Sequence, residues 1–171
     1  MTAYVALIRA VNVSGTGKLP KEELKAMGEA CGFENARTFI NSGNLLFTSD
    51  LAEATVKQRV EERLADYFGR AVPAHVRSAR EMAEAVKKNP FPDDPPNRVM
   101  ALFIEEKPTK ATIDAATGFG KERLEIGLRL IYIAYDEGMG QSKLKLPAMR
   151  EGTARNMNSV ARIAELLAGM E

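Results

Sequence analysis

Apolar positions along the chain alternate between stretches of strand period and stretches of helix period. Residues 2–10 (TAYVALIRA) are a near-continuous apolar run of strand length, the pattern of a strand buried on both faces at the middle of a sheet. The run delivers Arg9 and Asn12 into a glycine-rich turn, residues 11–19 (VNVSGTGKL). Pro20 then suits the first position of a helix, where its missing N–H would have no partner. The spacing predicts that helix over 20–31, with Leu24, Met27 and Cys31 on one face and Gly32 in the left-handed position that ends it. Residues 36–40 (ARTFI) and 45–48 (LLFT) read as two strands joined by Asn41, Ser42, Gly43 and Asn44, a hairpin that needs a positive φ at Gly43. Asp50 and Glu53 have capping-box spacing, and Val56, Val60, Leu64, Tyr67 and Phe68 form the stripe of a helix that stops at Gly69. Residues 71–78 (AVPAHVRS) are strand-like, but Pro73 cannot donate to a ladder and so marks an edge strand.

This order, strand, helix, strand, strand, helix, strand, is the split βαβ pattern, in which strands one and three are central and strand four is an edge. The expected fold is α+β with two small α/β units. Residues 1–78 form a ferredoxin-like unit with an antiparallel four-stranded sheet, and residues 79–171 a second α/β unit with a C-terminal helix. In the second unit Ser78 and Glu81 predict a capped helix, and residues 89–97 (NPFPDDPPN) are too rich in proline for regular structure. That segment is expected to pack as a loop with Phe91 buried as its anchor. A strand over 98–105, a short helix begun by Thr109, and strands over 123–126 and 128–135 on either side of Gly127 follow. The last helix starts near Asn156 and carries Met157, Val160, Ile163, Ala164 and Leu167 on one face. The second half thus repeats the order of elements without repeating the sequence.

Composition narrows the classes. The 171 residues carry 24 basic and 23 acidic side chains for a formal charge of +1, so no global field favours nucleic acid or a membrane surface. Nucleic acid as a partner has no support from charge, and with aromatics at 6% none interleaves with basic residues on the first or third strand, against base stacking on an open sheet face. Cys31 is the only cysteine, which excludes an internal disulfide and predicts a core residue. No apolar run approaches the roughly 20 residues needed to cross a bilayer, and no leader pattern opens the chain, so a cytoplasmic protein without a membrane partner is expected.

Several short motifs in a fixed order, residues 9–13 (RAVNV), 42–44 (SGN), 89–91 (NPF), 142–144 (SKL) and 153–159 (TARNMNS), resemble those of the uncharacterised bacterial family known as domain of unknown function 1697. The resemblance spans nearly the whole chain. It departs from the family pattern at Ala10 and Ser14, where glycine is common, and at Met157, where tryptophan is common. It implies two small α/β units, the first ferredoxin-like, and carries no established activity.

The chemistry is therefore argued from the residues. Residues 14–18 (SGTGK) lie between strand and helix like a phosphate loop, yet Asn12 stands where that motif has its first glycine and Leu19 where it has Ser or Thr. A strand-to-helix turn accounts for them, with Gly15 and Gly17 still able to turn backbone N–H groups to an anion. His75 lies on the edge strand with no nucleophile at a useful spacing, and the pairs Glu61 and Glu62, Asp93 and Asp94, and Glu105 and Glu106 read as solvated charge. No cofactor and no metal site is expected, and no catalytic set is identified. The candidate ligand-binding residues are Arg9, Asn12, Ser42 and Asn44, brought to one end of the first sheet by its topology, together with Lys143, Arg155 and Asn156. Asn156 or Thr153 would cap the last helix. Arg155 beside a helix N-terminus is unfavourable without an anion nearby, and its loss is expected to cost about 1 kcal/mol or less, as at a surface site. The expected function is binding of a small anionic or phosphate-bearing ligand in a polar site formed by loop ends. The alternatives are an enzyme using the same pocket, with Lys143 or Ser42 as the reactive group, and a protein-protein interaction module joining through a sheet edge.

Overall fold

An apolar strand settles at a sheet centre only if neighbours pair with both its edges, and the first strand finds both. The computed structural model describes residues 1–9, 18–40, 43–136 and 138–171. Its elements are β1 (Thr2–Ile8), α1 (Lys21–Ala30), β2 (Glu34–Thr38), β3 (Asn44–Ser49), α2 (Glu53–Phe68), β4 (Ala74–Ser78), α3 (Ala79–Lys87), β5 (Val99–Phe103), α4 (Lys110–Asp114), β6 (Arg123–Gly127), β7 (Leu130–Ala134), β8 (Thr153–Asn156) and α5 (Met157–Ala168). They form two four-stranded antiparallel sheets, ordered β2-β3-β1-β4 and β6-β7-β5-β8. The chain divides into two units, one of Met1–Met82 with Ile163–Glu171 and one of Ala83–Arg162. Among the described residues no helix is long and apolar enough to cross a membrane.

In the first unit β1 and β3 are central and β4 is an edge, the arrangement the apolar run and Pro73 predict. Tyr4, Ala6 and Ile8 of β1, Leu45 and Phe47 of β3, and Ala74 and Val76 of β4 bury one face of the sheet against Leu24 of α1 and Val56, Val60 and Leu64 of α2. Phe33 stacks on Phe47 with centroids 4.0 Å apart, and Cys31 lies in the same cluster. Burial pushes the Cys31 thiol pKa up, so it is a core residue rather than a nucleophile. The opposite face of β1, Ala3, Val5 and Leu7, is buried as well. The exposed edge of β4 is blunted by α2, whose Lys57 Nζ donates to the Ala74 carbonyl at 2.6 Å while Glu61 accepts from the Ala74 N–H at 3.0 Å.

Three local expectations are corrected. Pro20 is the cap of α1 rather than its first residue. The Asp50 and Glu53 box does not form, because Ala52 occupies the cap of α2 and Glu53 is its first residue, while Asp50 pairs with the N-terminal ammonium at 3.4 Å. Gly32 and Gly69 do end their helices with φ of +85° and +69°. The third correction is in the second unit, where Thr153 is not a helix cap but opens the edge strand β8, 153–156, which pairs with β5. Its alternation is masked in the sequence because the inward positions are Thr153 and Arg155.

That strand reveals an equivalence between the units. Arg77 faces Val5 across the β1 and β4 ladder, and Arg155 faces Ala101 across the β5 and β8 ladder. Each is buried, and each donates Nη1 to the carbonyl of the preceding residue, at 2.9 Å to Val76 and 3.0 Å to Ala154. Each immediately precedes the side chain that caps the following helix. Ser78 Oγ accepts from the Glu81 N–H at 3.2 Å, completing the predicted capping box with Glu81 Oε1 on the Ser78 N–H, and Asn156 Oδ1 accepts from the Ser159 N–H at 2.9 Å.

The equivalence breaks where the first unit has α2. In the second unit the described residues between β7 and β8 form only short 3-10 turns, Met139–Gln141 and Pro147–Arg150. Leu144 and Leu146 of this irregular stretch nevertheless bury themselves with Leu102, Ile131 and Ile133 and stand in for a helix face.

Residues 89–97 pack on the second unit through Arg123. Its guanidinium lies 5.0 Å from the Phe91 ring centroid, pairs with Asp94, and reaches Asp136 at 2.7 Å. Phe91 is half-buried under this cation rather than fully buried. Arg123→Ala should therefore release the segment locally, with faster amide exchange at Asp94 and Arg98. Global stability should change little, because the Arg123 charge is exposed and its pairs are screened by water.

Candidate functional site

The irregular stretch of the second unit is held first by its backbone. Thr117 and Lys145 exchange two N–H···O bonds of 2.8 Å, which draws residues 118–122 against 142–145. Gly118 makes the approach possible with φ of +72°, for a Cβ there would sit 2.1 Å from the Lys143 carbonyl oxygen. A short carboxylate staple completes the joint. Glu122 Oε2 accepts from the Gly120 N–H at 2.6 Å, its Oε1 accepts from the Ser142 hydroxyl, and Ser142 Oγ accepts from the Leu144 N–H at 3.1 Å. The Ser142 hydroxyl, followed by backbone N–H groups of Glu122 and Gly120, holds the Glu122 carboxyl below the usual carboxylate range, so it is ionised at neutral pH.

Between these loops lies a pocket of about 160 Å³. Glycines 118, 120 and 138 and the rings of Phe119 and Tyr135 line it, and Glu122, Gln141, Ser142 and Lys143 bring polar groups to it. Burial raises the Tyr135 pKa, so this ring stays a neutral phenol. Lys121 and Asp136 also line it, so among the described residues two ammonium-bearing and two carboxylate-bearing side chains belong to the lining. The Asp136 carboxylate is paired with Arg123, whereas Lys143 is exposed and has no hydrogen-bond or ion-pair partner among the described residues.

The residues singled out from the sequence are distributed as follows. Asn12 and Ser42 lie outside the described residues, as do Asn41 and the turn glycines 15 and 17. Arg9 is half-buried at the end of β1, where its N–H donates to the Pro73 carbonyl at 3.0 Å. The β2 and β3 hairpin does lie at that end of the sheet, since the Ile8 N–H donates to the Gly43 carbonyl at 2.8 Å and Leu7 pairs with Asn44. Gly43 has the required positive φ of 76°. Asn44 is wholly buried, and its Nδ2 donates to the Phe39 carbonyl at 2.9 Å, so part of its side chain closes the hairpin.

Lys143, Arg155 and Asn156 belong to the second unit. Asn156 caps α5. Arg155 is no surface cation. It is 6% exposed, donates to Thr153 Oγ1 at 2.6 Å, and desolvation brings its pKa down to about 10. It stays charged at neutral pH, and its removal would empty a buried site rather than a surface one. Of the five candidates among the described residues only Lys143 lines the pocket. Glu122 was absent from the carboxylates singled out by spacing, because the partner that gives it meaning, Ser142, is 20 residues away in the chain.

The model of a family described as a protein of unknown function (DUF1697) matches residues 1–132. The match takes in the sheet of the first unit and ends within β7, before the 135–143 side of the pocket. Among solved structures, the conserved bacterial protein SP0830 from Streptococcus pneumoniae is similar over 97% of this chain and 98% of its own. Its TM-score is 0.81 and its sequence identity 25%. No curated protein matches the sequence.

Two measurements check the joint. Gly118→Ala should destabilise the protein by at least about 1–3 kcal/mol from the left-handed backbone alone, with the collision at the Lys143 carbonyl added, as read by chemical denaturation. Glu122 has a folded-state pKa below its ordinary 4.5. Its contribution is therefore present above that value and is lost as pH falls through the lower folded value. Melting temperature followed downward from pH 7 should drop less steeply below about pH 4.5 in Glu122→Gln than in the parent protein.

Proposed function

We propose that this chain, which belongs to the DUF1697 family of proteins of unknown function, is a binding module for a small anionic ligand held in the loop-built pocket of its second unit. The observation that carries the reading is Lys143, an ammonium without a protein partner among the described residues, on the rim of a pocket walled by glycine backbone. Gly120 and Gly138 spend their N–H groups on Glu122 Oε2 and the Tyr135 carbonyl, so it is the ammonium of Lys143 that supplies the charge an anion needs on leaving water. The volume of about 160 Å³ lies below the roughly 300–1,000 Å³ of pockets that take drug-sized molecules, which favours a compact ligand over a dinucleotide.

Binding rather than catalysis is favoured by what surrounds Lys143. A nucleophilic lysine needs an activating group in contact with it, and Lys143 is exposed with no hydrogen-bond or ion-pair partner among the described residues. Base stacking on the first sheet is disfavoured too, because residues 3–8 of β1 are buried.

Inorganic phosphate and acetate, each compared with chloride at equal ionic strength, provide the test. At ten times its dissociation constant a bound anion stabilises by about 1.4 kcal/mol, a rise of roughly 3–6 °C in melting temperature for a chain of this length. Lys143→Ala should abolish that rise while leaving the anion-free melting temperature within about 1 °C, since an exposed lysine contributes little to stability. A rise that survives Lys143→Ala would place the anion elsewhere.

A further inference from the structure

The pocket that takes the anion also presents an anion of its own, and this restricts what fits. Glu122 is anchored on both oxygens, by the Gly120 N–H and the Ser142 hydroxyl, so it cannot swing away without breaking the staple between the two loops. Each anchored oxygen retains a lone pair for a further donor, as an ionised carboxylate accepts about four hydrogen bonds. Asp136, paired with Arg123, adds a second carboxylate to a lining that also holds Lys121 and Lys143. A ligand carrying only negative charge gains at Lys143 and loses at Glu122.

We infer that the pocket takes a small zwitterion whose anionic head, phosphate or carboxylate, meets Lys143 and whose ammonium group donates to Glu122. This rests on the anion-binding reading of the same pocket. Lys143 supplies attraction, while Glu122 supplies discrimination, because a simple anion leaves its charge opposed and unpaired. No atom of the ligand reacts in this arrangement.

Calorimetric titration at low ionic strength separates the two claims. The probes are phosphoethanolamine against ethyl phosphate, and β-alanine against propionate, so that each pair differs by an ammonium group and the two pairs distinguish a phosphate head from a carboxylate head. The parent protein should bind the ammonium-bearing member of the preferred pair at least about tenfold more tightly, the effect expected of one charge-assisted hydrogen bond. Glu122→Gln keeps an oxygen acceptor for the loop but removes the charge, and should bring the two members within about twofold. Lys143→Ala should weaken both members together. Equal affinity for the two members in the parent protein, or a preference that persists in Glu122→Gln, overturns the zwitterion and leaves the anion site standing. Failure of all four probes to bind overturns both claims. Should Glu122→Gln lose its fold by circular dichroism, the comparison within the parent protein still decides.

Discussion

Everything in this chain is arranged around two strands that must be buried on both faces. β1 and β5 are short and almost wholly apolar, and residues 3–8 of the first are buried without exception. Such a strand needs a ladder on each side and a cover on each face, since any exposed edge or face would leave apolar surface in water. The split βαβ connection supplies the ladders in both units by placing the third strand on one side and the fourth on the other. Helices supply the cover in the first unit, where α1 and α2 close one face with Leu24, Val56, Val60 and Leu64.

The second unit meets the same requirement with less helix, and the pocket is a result of that economy. Leu144 and Leu146 cover Leu102, Ile131 and Ile133 from an irregular stretch whose backbone groups cannot satisfy one another as a helix would. They are satisfied instead by a two-bond exchange between Thr117 and Lys145 and by the Glu122 staple. Loops joined in this way do not close-pack, and the hollow between them is lined by the groups that hold them together. The polar character of the site thus has a structural origin, and among the described residues the Lys143 ammonium is a charge of the lining that no structural pairing consumes.

The paired arginines show how far the two units follow one plan. Arg77 and Arg155 sit at equivalent places on the fourth strands, one residue before the cap of the next helix, in sites that burial makes costly for a charge. The flanking residues differ, His75 and Val76 against Thr153 and Ala154, so a comparison of sequence alone passes over the repeat. What is preserved is a position in a ladder, and a ladder is a property of the folded chain.

The period of apolar residues by itself determined most of the framework. The sheet of the first unit, its central and edge strands, the ends of α1 and α2 at Gly32 and Gly69, the hairpin glycine at 43 and the core placement of Cys31 all follow from spacing and from the geometry of single residues. These are local effects, carried by a few neighbours in the chain. Tertiary structure decided what depends on distant partners. Thr153 and Arg155 became inward positions of a strand because β5 offers an open edge, and Asp50 left its capping role because Ala52 took the cap and the N-terminal ammonium lay near. Asn44 and Asn156 spend hydrogen bonds on a hairpin and a helix cap, while Lys143 lines a pocket only because Gly118 lets two loops touch. Local preferences are worth about 1 kcal/mol or less per residue, whereas burying an apolar strand or satisfying a buried polar group is worth more, so where the two conflict the longer-range interaction prevails.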